Sequence, residues 1–511
     1  MVEIFRYCLL MNFKQTQHTC AQIRLCSNEK QRLIAFPALA VVTHIIALVG
    51  CSALSTMPAN AADLRLDAPQ TMRQSILEVL NSYPSIGEAN FSLDAAGSVE
   101  KSAYWQFFPT PSVAFQSVNS AKSDLSYRGS NSQTTLSLYQ PIWTGGRLTS
   151  SLDKAKAGVV VDKANLQAVR LGVAMQFVQA YGDWLDAELR KKALQRSLAT
   201  HKKLIAMITR RIDIGLSAAS DLILSEGRVS GVESSLKQAQ AQSVAAKIRL
   251  TQLYGQPLDV DHLAKLNTYV DLKLANPTAM VDAAIAVSPD VAKATADVLV
   301  AKAEIGIQRA NYSPEVYVRA ERQFGNISYN ALSDENRIFV GLSTALGAGL
   351  SVMSQVSQAT ARHQATEAKL ATIKRQVTEQ VMTDAANFES AQDRLVTMQA
   401  SFIAYMVVAD SWDRQFFAGR KTWVELMNAA QELAQSELAV ADEKAMLMVL
   451  KWRLAIETQG LDEILSSDST SGSNQSNESS QGNENYKSNE VYKNTQTSKT
   501  NANSFTVGVN Q

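Results

Sequence analysis

The sequence predicts a mainly α-helical fold with a small β part, built from two copies of one unit. Short alternating segments, typical of strands, are followed by unusually long runs of helical periodicity. The same order of elements recurs about 200 residues further on, and such a repeat indicates one architecture made of similar halves. The equivalent positions include Leu138 and Leu342, Gly145 and Gly349, Ala187 and Ala391, and Gly215 and Gly419.

Residues 1–61 are predicted to be an export signal. Lys30 and Arg32 precede an apolar run over residues 33–54, and the small residues at 59–61 form a cleavage site. A competing interpretation stays open inside that run, because residues 48–51 resemble a bacterial lipobox that would leave Cys51 as a lipidated first residue. Both interpretations predict that the protein leaves the cytoplasm.

The composition argues against several classes of function. All four cysteines lie ahead of Ala61, so the exported chain would have no thiol, disulfide or cysteine-based metal site. The remaining histidines are far apart and no catalytic motif is present, so the sequence predicts no cofactor, no metal site and no enzyme. A net charge of +1 gives no indication of a nucleic-acid partner. No apolar run of about 18 residues follows the signal, so membrane entry would require a β-barrel or a lipid anchor.

Each half begins with two helical stretches and continues into a β-hairpin. Pro84 and its equivalent Pro289 suit the first turn of the second helix in each half. The predicted strands cover about 111–119, 133–142, 314–322 and 337–346. One face of these strands is predicted to carry Val113, Phe115, Leu136, Leu138, Val316, Val318, Ile338, Val340 and Leu342. Four strands from one chain are too few to close a membrane barrel. The alternative to a barrel is an ordinary four-stranded sheet covered by helices.

Two very long helices follow the hairpins. Apolar residues at steps of three and four continue from Leu148 past Leu204 in the first half, and from Val352 to Phe388 in the second. A helix of about 60 residues is roughly 90 Å long, which is typical of coiled coils rather than of globular domains. Small and polar residues flank the apolar stripes, so each helix could contact two neighbours and form part of a wall. An antiparallel bundle is the alternative.

Each long helix is predicted to end at a glycine in a left-handed turn, Gly215 or Gly419, from which a second helix returns. The long and returning helices are predicted at about 146–212, 218–254, 350–416 and 420–465. The predicted division of the chain is a signal (1–61), a first repeat (62–255), a connector (256–277), a second repeat (278–465) and a polar tail (466–511). The tail is too polar to bury a core, so it is predicted to be disordered, with solvation or partner binding as its alternative roles.

Three segments carry a resemblance to a known family. LSLYQPIWTGGR follows the first hairpin, RRIDIGLSAASDLILSE contains the first glycine turn, and FFAGRKTWVELMNAAQEL contains the second. With the export signal and the duplicated plan, these segments resemble the TolC family of outer-membrane channel proteins over about residues 62–464. The opening SILEVLNSYPSIGEANFSLDAA resembles the branch that serves type I secretion of large adhesins and agglutination factors.

The resemblance implies a fold and a set of partners. A homotrimer would place four strands from each copy in a twelve-stranded outer-membrane β-barrel, continued through the periplasm by an α-helical barrel. The implied partners are a periplasmic membrane-fusion adaptor, an inner-membrane ABC transporter, outer-membrane lipid and an exported polypeptide. A drug-efflux duct with a proton-driven pump is the alternative in the same class. A periplasmic coiled-coil scaffold without a pore is the alternative of another class.

The resemblance also implies two functional places. The adaptor would contact the two helix tips, although a glycine at a helix end has a capping role in any case. The tip residues are Gly215, Leu216, Ser217, Gly419, Arg420, Lys421 and Thr422.

At the periplasmic entrance the family has two acids three residues apart. The matching positions are Glu425 and Asn428, and Asp221 is the repeat counterpart of Glu425. One acid per chain in place of two implies a weaker preference for cations. The alternative is that Glu425 is a solvated acid, favoured near a helix N-terminus.

Overall fold

The computed structural model describes residues 71–466, apart from 120, 122, 128–129, 259–262, 264–265, 273–275, 328–333 and 345–350. The chain divides into two units, Met1–Leu66 and Asp67–Gln511, and every described residue lies in the second. The predicted export signal, Cys51, part of the predicted connector and the polar tail beyond residue 466 lie outside the described residues.

The described part of the first repeat contains four α-helices and a β-hairpin. They are α1 (Met72–Ser82), α2 (Pro84–Trp105), β1 (Thr110–Ser117), β2 (Ser132–Trp143), α3 (Arg147–Asp213) and α4 (Ala219–Tyr254). The local sequence sets several of these boundaries. Thr71 begins α1 through a capping box with Gln74. Pro84 occupies the first turn of α2, as predicted. Gly146 lies ahead of α3 in a left-handed conformation with a φ of 90°.

The second repeat has the same order of elements. They are α5 (Pro277–Val287), α6 (Pro289–Ala310), β3 (Glu315–Phe324), β4 (Asp334–Ser343), α7 (Val352–Phe417), α8 (Trp423–Gln459) and α9 (Leu461–Ser466). The Ser288 hydroxyl caps α6 and Pro289 occupies its first turn. α3 has 67 residues and α7 has 66, so each is about 100 Å long.

Some boundaries in the second repeat differ from the predicted ones. β4 begins at Asp334 rather than near 337, because polar residues without an apolar alternation still pair with β3. The returning helix α8 begins at Trp423 rather than near 420, because Thr422 caps it. It also stops at Gln459, since Gly460 has a φ of 86° and separates α8 from the short α9.

The four strands form one antiparallel sheet in the order β1-β2-β3-β4. Each hairpin pairs within its own repeat, and β2 pairs with β3 across the repeats, where Leu138 lies opposite Ala320. A bulge between Pro141 and Trp143 interrupts the register at the end of β2. Within the described residues, β1 and β4 each keep one unpaired edge.

The two faces of this sheet differ in polarity. One face is apolar, and its residues Val113, Phe115, Ile338, Val340 and Leu342 are between 67% and 78% exposed. The opposite face carries ion pairs: Arg319 contacts Glu321 at 3.0 Å, and Arg147 from the start of α3 contacts Glu315 at 3.1 Å. The predicted apolar face is therefore present. Exposed aliphatic side chains on one face indicate contact with lipid or with a partner.

The largest buried core lies where α1, the middle of α3 and the ends of α4 and α8 meet. Phe177, Trp184 and Trp452 are at most 2% exposed there. α3 and α8 approach closely at Gly182, where an added Cβ would lie 2.2 Å from a methyl group of Val449. No helix of the described chain is both long enough and apolar enough to cross a membrane.

Candidate functional site at the helix tips

The first tip is the turn between α3 and α4. Gly215 has a φ of 73°, the left-handed conformation that the sequence predicts. Its N–H donates to the carbonyl of Ile212 at 2.9 Å, and the N–H of Leu216 donates to that of Arg211 at 2.8 Å, so carbonyls at the end of α3 are satisfied. Ser217 completes the turn. Ala218 precedes α4 and has no side-chain oxygen to cap it.

The second tip repeats this backbone turn between α7 and α8. Gly419 has a φ of 68°. Its N–H donates to the carbonyl of Phe416 at 3.0 Å, and the N–H of Arg420 donates to that of Gln415 at 2.9 Å. At both Gly215 and Gly419, a Cβ would find no atom within 4 Å. Glycine is therefore needed for the backbone conformation and not for space.

A network of polar side chains fixes the start of α8. The Thr422 hydroxyl accepts from the N–H of Glu425 at 3.3 Å, and the Glu425 carboxylate accepts from the N–H of Thr422 at 2.9 Å. The other carboxylate oxygen accepts from Nζ of Lys421 at 2.8 Å. Lys421 in turn lies over the ring of Trp412, with Nζ 4.0 Å from the ring centroid. These contacts form a capping box with an added ion pair.

The charge of Glu425 is balanced within its own chain. The hydrogen bond from Lys421, followed by those from the backbone and hydroxyl of Thr422, lowers the pKa of the Glu425 carboxyl to about 2. Its side chain is 40% exposed, so solvent screens the interaction. Glu425 is therefore ionised at neutral pH, and the Lys421 ammonium offsets part of the charge that it presents to water.

The other predicted entrance residues have different surroundings. Oδ1 of Asn428 accepts from Arg228 of α4 at 3.3 Å, and the same guanidinium donates to Gln431. Asp221 lies in the first turn of α4, where its backbone carbonyl accepts from the Ser225 hydroxyl at 2.6 Å. Within the described residues, the Asp221 carboxylate has no ion pair. The structure thus places Glu425 and Asn428 on the first turns of α8 and gives each its own partner.

A small apolar cluster joins the two tips. It contains Leu204, Ile208, Phe416, Trp423, Leu426, Met427 and Ala430. Trp423 is 4% exposed, and its indole N–H donates to the Ser225 hydroxyl of α4 at 2.9 Å. The guanidinium of Arg211 lies 4.7 Å from the centroid of the Phe416 ring. The end of α3 is thereby attached to the end of α7, and the start of α4 to the start of α8.

Sequence reasoning missed two parts of this site. The capping box was readable, because a Thr followed three residues later by a Glu at a helix start is its signature, as in Thr422 and Glu425. The bonds from Arg228 to Asn428 and Gln431 carry no local signal, since the partners belong to different repeats. The roles of the tips and of Glu425 stay predictions.

Comparison with known proteins identifies the family. The model of the outer membrane efflux protein family matches residues 76–256 and 280–447, which are most of both repeats. The chain belongs to this family. Its members are outer-membrane channels rather than enzymes, so the TolC-family resemblance is confirmed, and the scaffold interpretation is left without support. The protein is accordingly located in the outer membrane, with its helices extending into the periplasm.

A curated relative is the alkaline protease secretion protein AprF of Pseudomonas aeruginosa. It is 24% identical over 319 residues, which are 60% of this chain and 66% of the relative.

Two solved structures have the same fold. The outer membrane protein VceC of Vibrio cholerae is 17% identical with a TM-score of 0.67, over 76% of this chain and 96% of that one. The open state of the MtrE outer membrane channel of Neisseria gonorrhoeae is 16% identical with a TM-score of 0.65, over 77% and 90% of the two chains. The predicted fold class is therefore confirmed as that of channels in which a β-barrel is continued by an α-helical barrel.

Proposed function

We propose that three copies of this chain form the exit duct of a type I secretion system. The duct would pass an exported polypeptide, such as a large adhesin, from an inner-membrane ABC transporter and a periplasmic adaptor to the cell exterior. The similarity to AprF carries this proposal, because the name of that relative describes the secretion of a protein.

The open edges of the sheet support a closed trimer. β1 and β4 run in opposite directions, so β4 of one copy can pair with β1 of the next in the antiparallel arrangement used throughout the sheet. Three four-stranded sheets would then form a twelve-stranded barrel with no free edge, as a lipid environment requires. The apolar face would contact lipid and the ion-paired face would line the duct.

Deletion of the gene in its own organism tests the proposed cargo class. We expect one or a few large polypeptides to disappear from the culture supernatant and to return when the gene is restored, while susceptibility to drugs and detergents stays unchanged. Unchanged secretion together with increased drug susceptibility would instead favour an efflux duct served by a proton-driven pump. The description of the family as efflux proteins favours that second candidate.

The two tips are proposed to contact the adaptor. They expose apolar side chains, since Leu216 is 61% and Phe417 is 63% exposed, and such exposure suits a protein partner. No cysteine follows Ala61, so a cysteine introduced at Ser217 or Arg420 would be unique in the exported chain. A thiol-to-amine cross-linker should join these two variants, but not a Ser98→Cys control on α2, to the adaptor. Equal cross-linking at all three positions would refute the contact.

Glu425 is proposed to line the entrance, with a charge weakened by Lys421. Reversal potentials in planar bilayers under a KCl gradient test this role. We expect Lys421→Met to increase the preference for cations, because it frees the carboxylate, and Glu425→Gln to decrease it. Glu88→Gln, which removes one exposed acid from α2, is the matched control and should change nothing. If all three variants behave like the wild type, Glu425 does not line the conducting path.

A further inference from the structure

One cation lies on the apolar face of the sheet. The pairing register puts Arg322 of β3 beside Leu136 of β2 and Asn336 of β4, on the same face as the exposed aliphatic residues. Arg322 is itself exposed, and no carboxylate among the described side chains forms an ion pair with it. The other residues of that face on β3, from Val316 to Phe324, are apolar. The nearest charged residue on the face is Asp334 of β4, which lies opposite Phe324. The guanidinium of Arg322 is therefore available to an anion from outside the chain.

The height of Arg322 on the sheet can be read from the strands. The helices continue from the ends of the strands at Thr110 and Trp143, and these ends face the periplasm. The opposite ends, at Ser117 and Phe324, are therefore extracellular. Between Val316 and Phe324 a strand rises roughly 26 Å, which at the usual tilt gives most of the apolar height of an outer-membrane barrel. Arg322 is one rung below Phe324, near the outer boundary of that band.

The side chain is directed toward that boundary. The guanidinium carbon of Arg322 lies 5.0 Å from the centroid of the Phe324 ring, which is the next residue on the same face toward the extracellular end. The aliphatic part of an arginine can stay on apolar surface while its head reaches the polar layer. A guanidinium in this position can bind a tetrahedral anion such as a phosphate in a bidentate manner.

We propose that Arg322 binds a phosphate of an anionic glycolipid of the outer leaflet, with its acyl chains against Leu136, Leu138 and Ile338. The ligand is a lipid rather than free phosphate, because Leu136 lies beside the charge and Leu138 and Ile338 extend the apolar surface directly below it. One such site would lie on each chain, on the outside of the barrel. The inference depends on the outer-membrane location and is independent of what passes through the duct.

The chain provides a matched control for this site. Arg337 lies opposite Glu321 on β3, one position from the Arg322 rung and so at nearly the same height, but on the ion-paired face. Arg337 is held by Glu335 and by Gln323. Substituting Arg322 or Arg337 with Gln removes the same charge at the same height from opposite faces of the sheet.

The test measures lipid binding to the full chain, purified from outer membranes in a mild detergent. The probes are diphosphorylated lipid A, the same lipid A after removal of its phosphates, and inorganic phosphate alone. We expect Arg322→Gln to weaken binding of the diphosphorylated lipid on the order of 10-fold, Arg322→Lys to restore part of it, and Arg337→Gln to bind like the wild type. The dephosphorylated lipid should not distinguish the variants.

Three outcomes would overturn the proposal. They are wild-type affinity in Arg322→Gln, an equal loss in Arg337→Gln, and full competition by inorganic phosphate at concentrations comparable with the lipid. Single-channel conductance of Arg322→Gln should equal that of the wild type, which shows that the variant is folded. A channel that conducts but does not discriminate between the lipids would refute the lipid site while leaving the proposed duct intact.

Discussion

The first tip exposes Ile214 and Leu216 and begins its returning helix at Ala218, which offers no capping oxygen. The second tip begins its returning helix with the Thr422 and Glu425 capping box and buries Trp423 beneath it. Both tips reverse the chain through a glycine with the same left-handed conformation. The reversal thus depends on a residue that both repeats retain, whereas the anchoring of the returning helix depends on side chains that the second tip has and the first lacks.

Of the changes that would make the tips more alike, removal of the buried Trp423 indole should reduce the local stability of the second tip most. Trp423→Ala introduces the residue that stands at the equivalent position of the first tip, Ala219. We expect a local loss of about 3–5 kcal/mol, because the indole fills the tip cluster and bonds to Ser225. Hydrogen exchange at the start of α8 measures it. Val424→Ala, at an exposed neighbour, is the control, and equal exchange in both variants would contradict the prediction.

The two glycines should respond equally to substitution. Gly215→Ala and Gly419→Ala each place a side chain at a positive φ without any steric contact. We expect each to cost about 1–2 kcal/mol in the local stability of its tip, because the penalty arises from the backbone alone. Hydrogen exchange at both tips measures the two values. A difference of more than about 1 kcal/mol between them would show that the turns are not equivalent.

Exchanging the caps should make the tips more alike. Thr422→Ala removes the cap of α8, and we expect a loss of about 1 kcal/mol; Ala218→Ser adds a cap to α4, and we expect a gain of somewhat less than about 1 kcal/mol. Ala218 has the extended backbone that a cap requires, with a φ of −79° and a ψ of 147°. Hydrogen exchange at the first turn of each helix reports fraying there and so measures both changes. No gain in Ala218→Ser would mean that the turn, and not the missing oxygen, limits the first tip.

The smallest expected effect is a pH dependence of local stability that is restricted to the second tip. The pKa of Glu425 is lowered from its ordinary value near 4.5 to about 2 in the folded state. A lowered carboxyl pKa stabilises the folded tip above the unfolded pKa, and this stabilisation is lost as the pH falls from about 4.5 toward about 2. The protection of amides at the start of α8, measured relative to their intrinsic exchange rates, should therefore decrease as the pH falls through that interval, and Glu425→Gln should abolish the change. The same dependence in Glu425→Gln would assign it to another group.

The sequence was sufficient for features that depend on local chemistry. Gly215 and Gly419 at positive φ, and Pro84 and Pro289 in the first turn of their helices, were predicted correctly, because each residue type has a narrow conformational preference. The alternation of the strands also predicted the apolar face, since side chains in a strand point to opposite faces in turn.

Features that depend on pairing across the repeats could not be predicted. Alternation assigns a face but does not state that β2 pairs with β3, or that Leu138 lies opposite Ala320. The bond from Arg228 to Asn428 likewise joins helices far apart in the sequence. Glu425 is intermediate, because its motif was readable but its ion pair with Lys421 requires the side-chain geometry.

The nearly equal lengths of α3 and α7, 67 and 66 residues, restrict how proteins of this kind can change during evolution. Deleting one residue from α3 would rotate everything beyond it by about 100° and turn its apolar stripe away from α4 and α8. The contact between Trp423 and Ser225 would be lost at the same time. Only insertions or deletions that preserve the apolar period, made in both long helices and both returning helices, keep the two tips level. Lineages with a wider or narrower periplasm should therefore differ by whole heptads in four helices at once, each heptad adding about 10 Å.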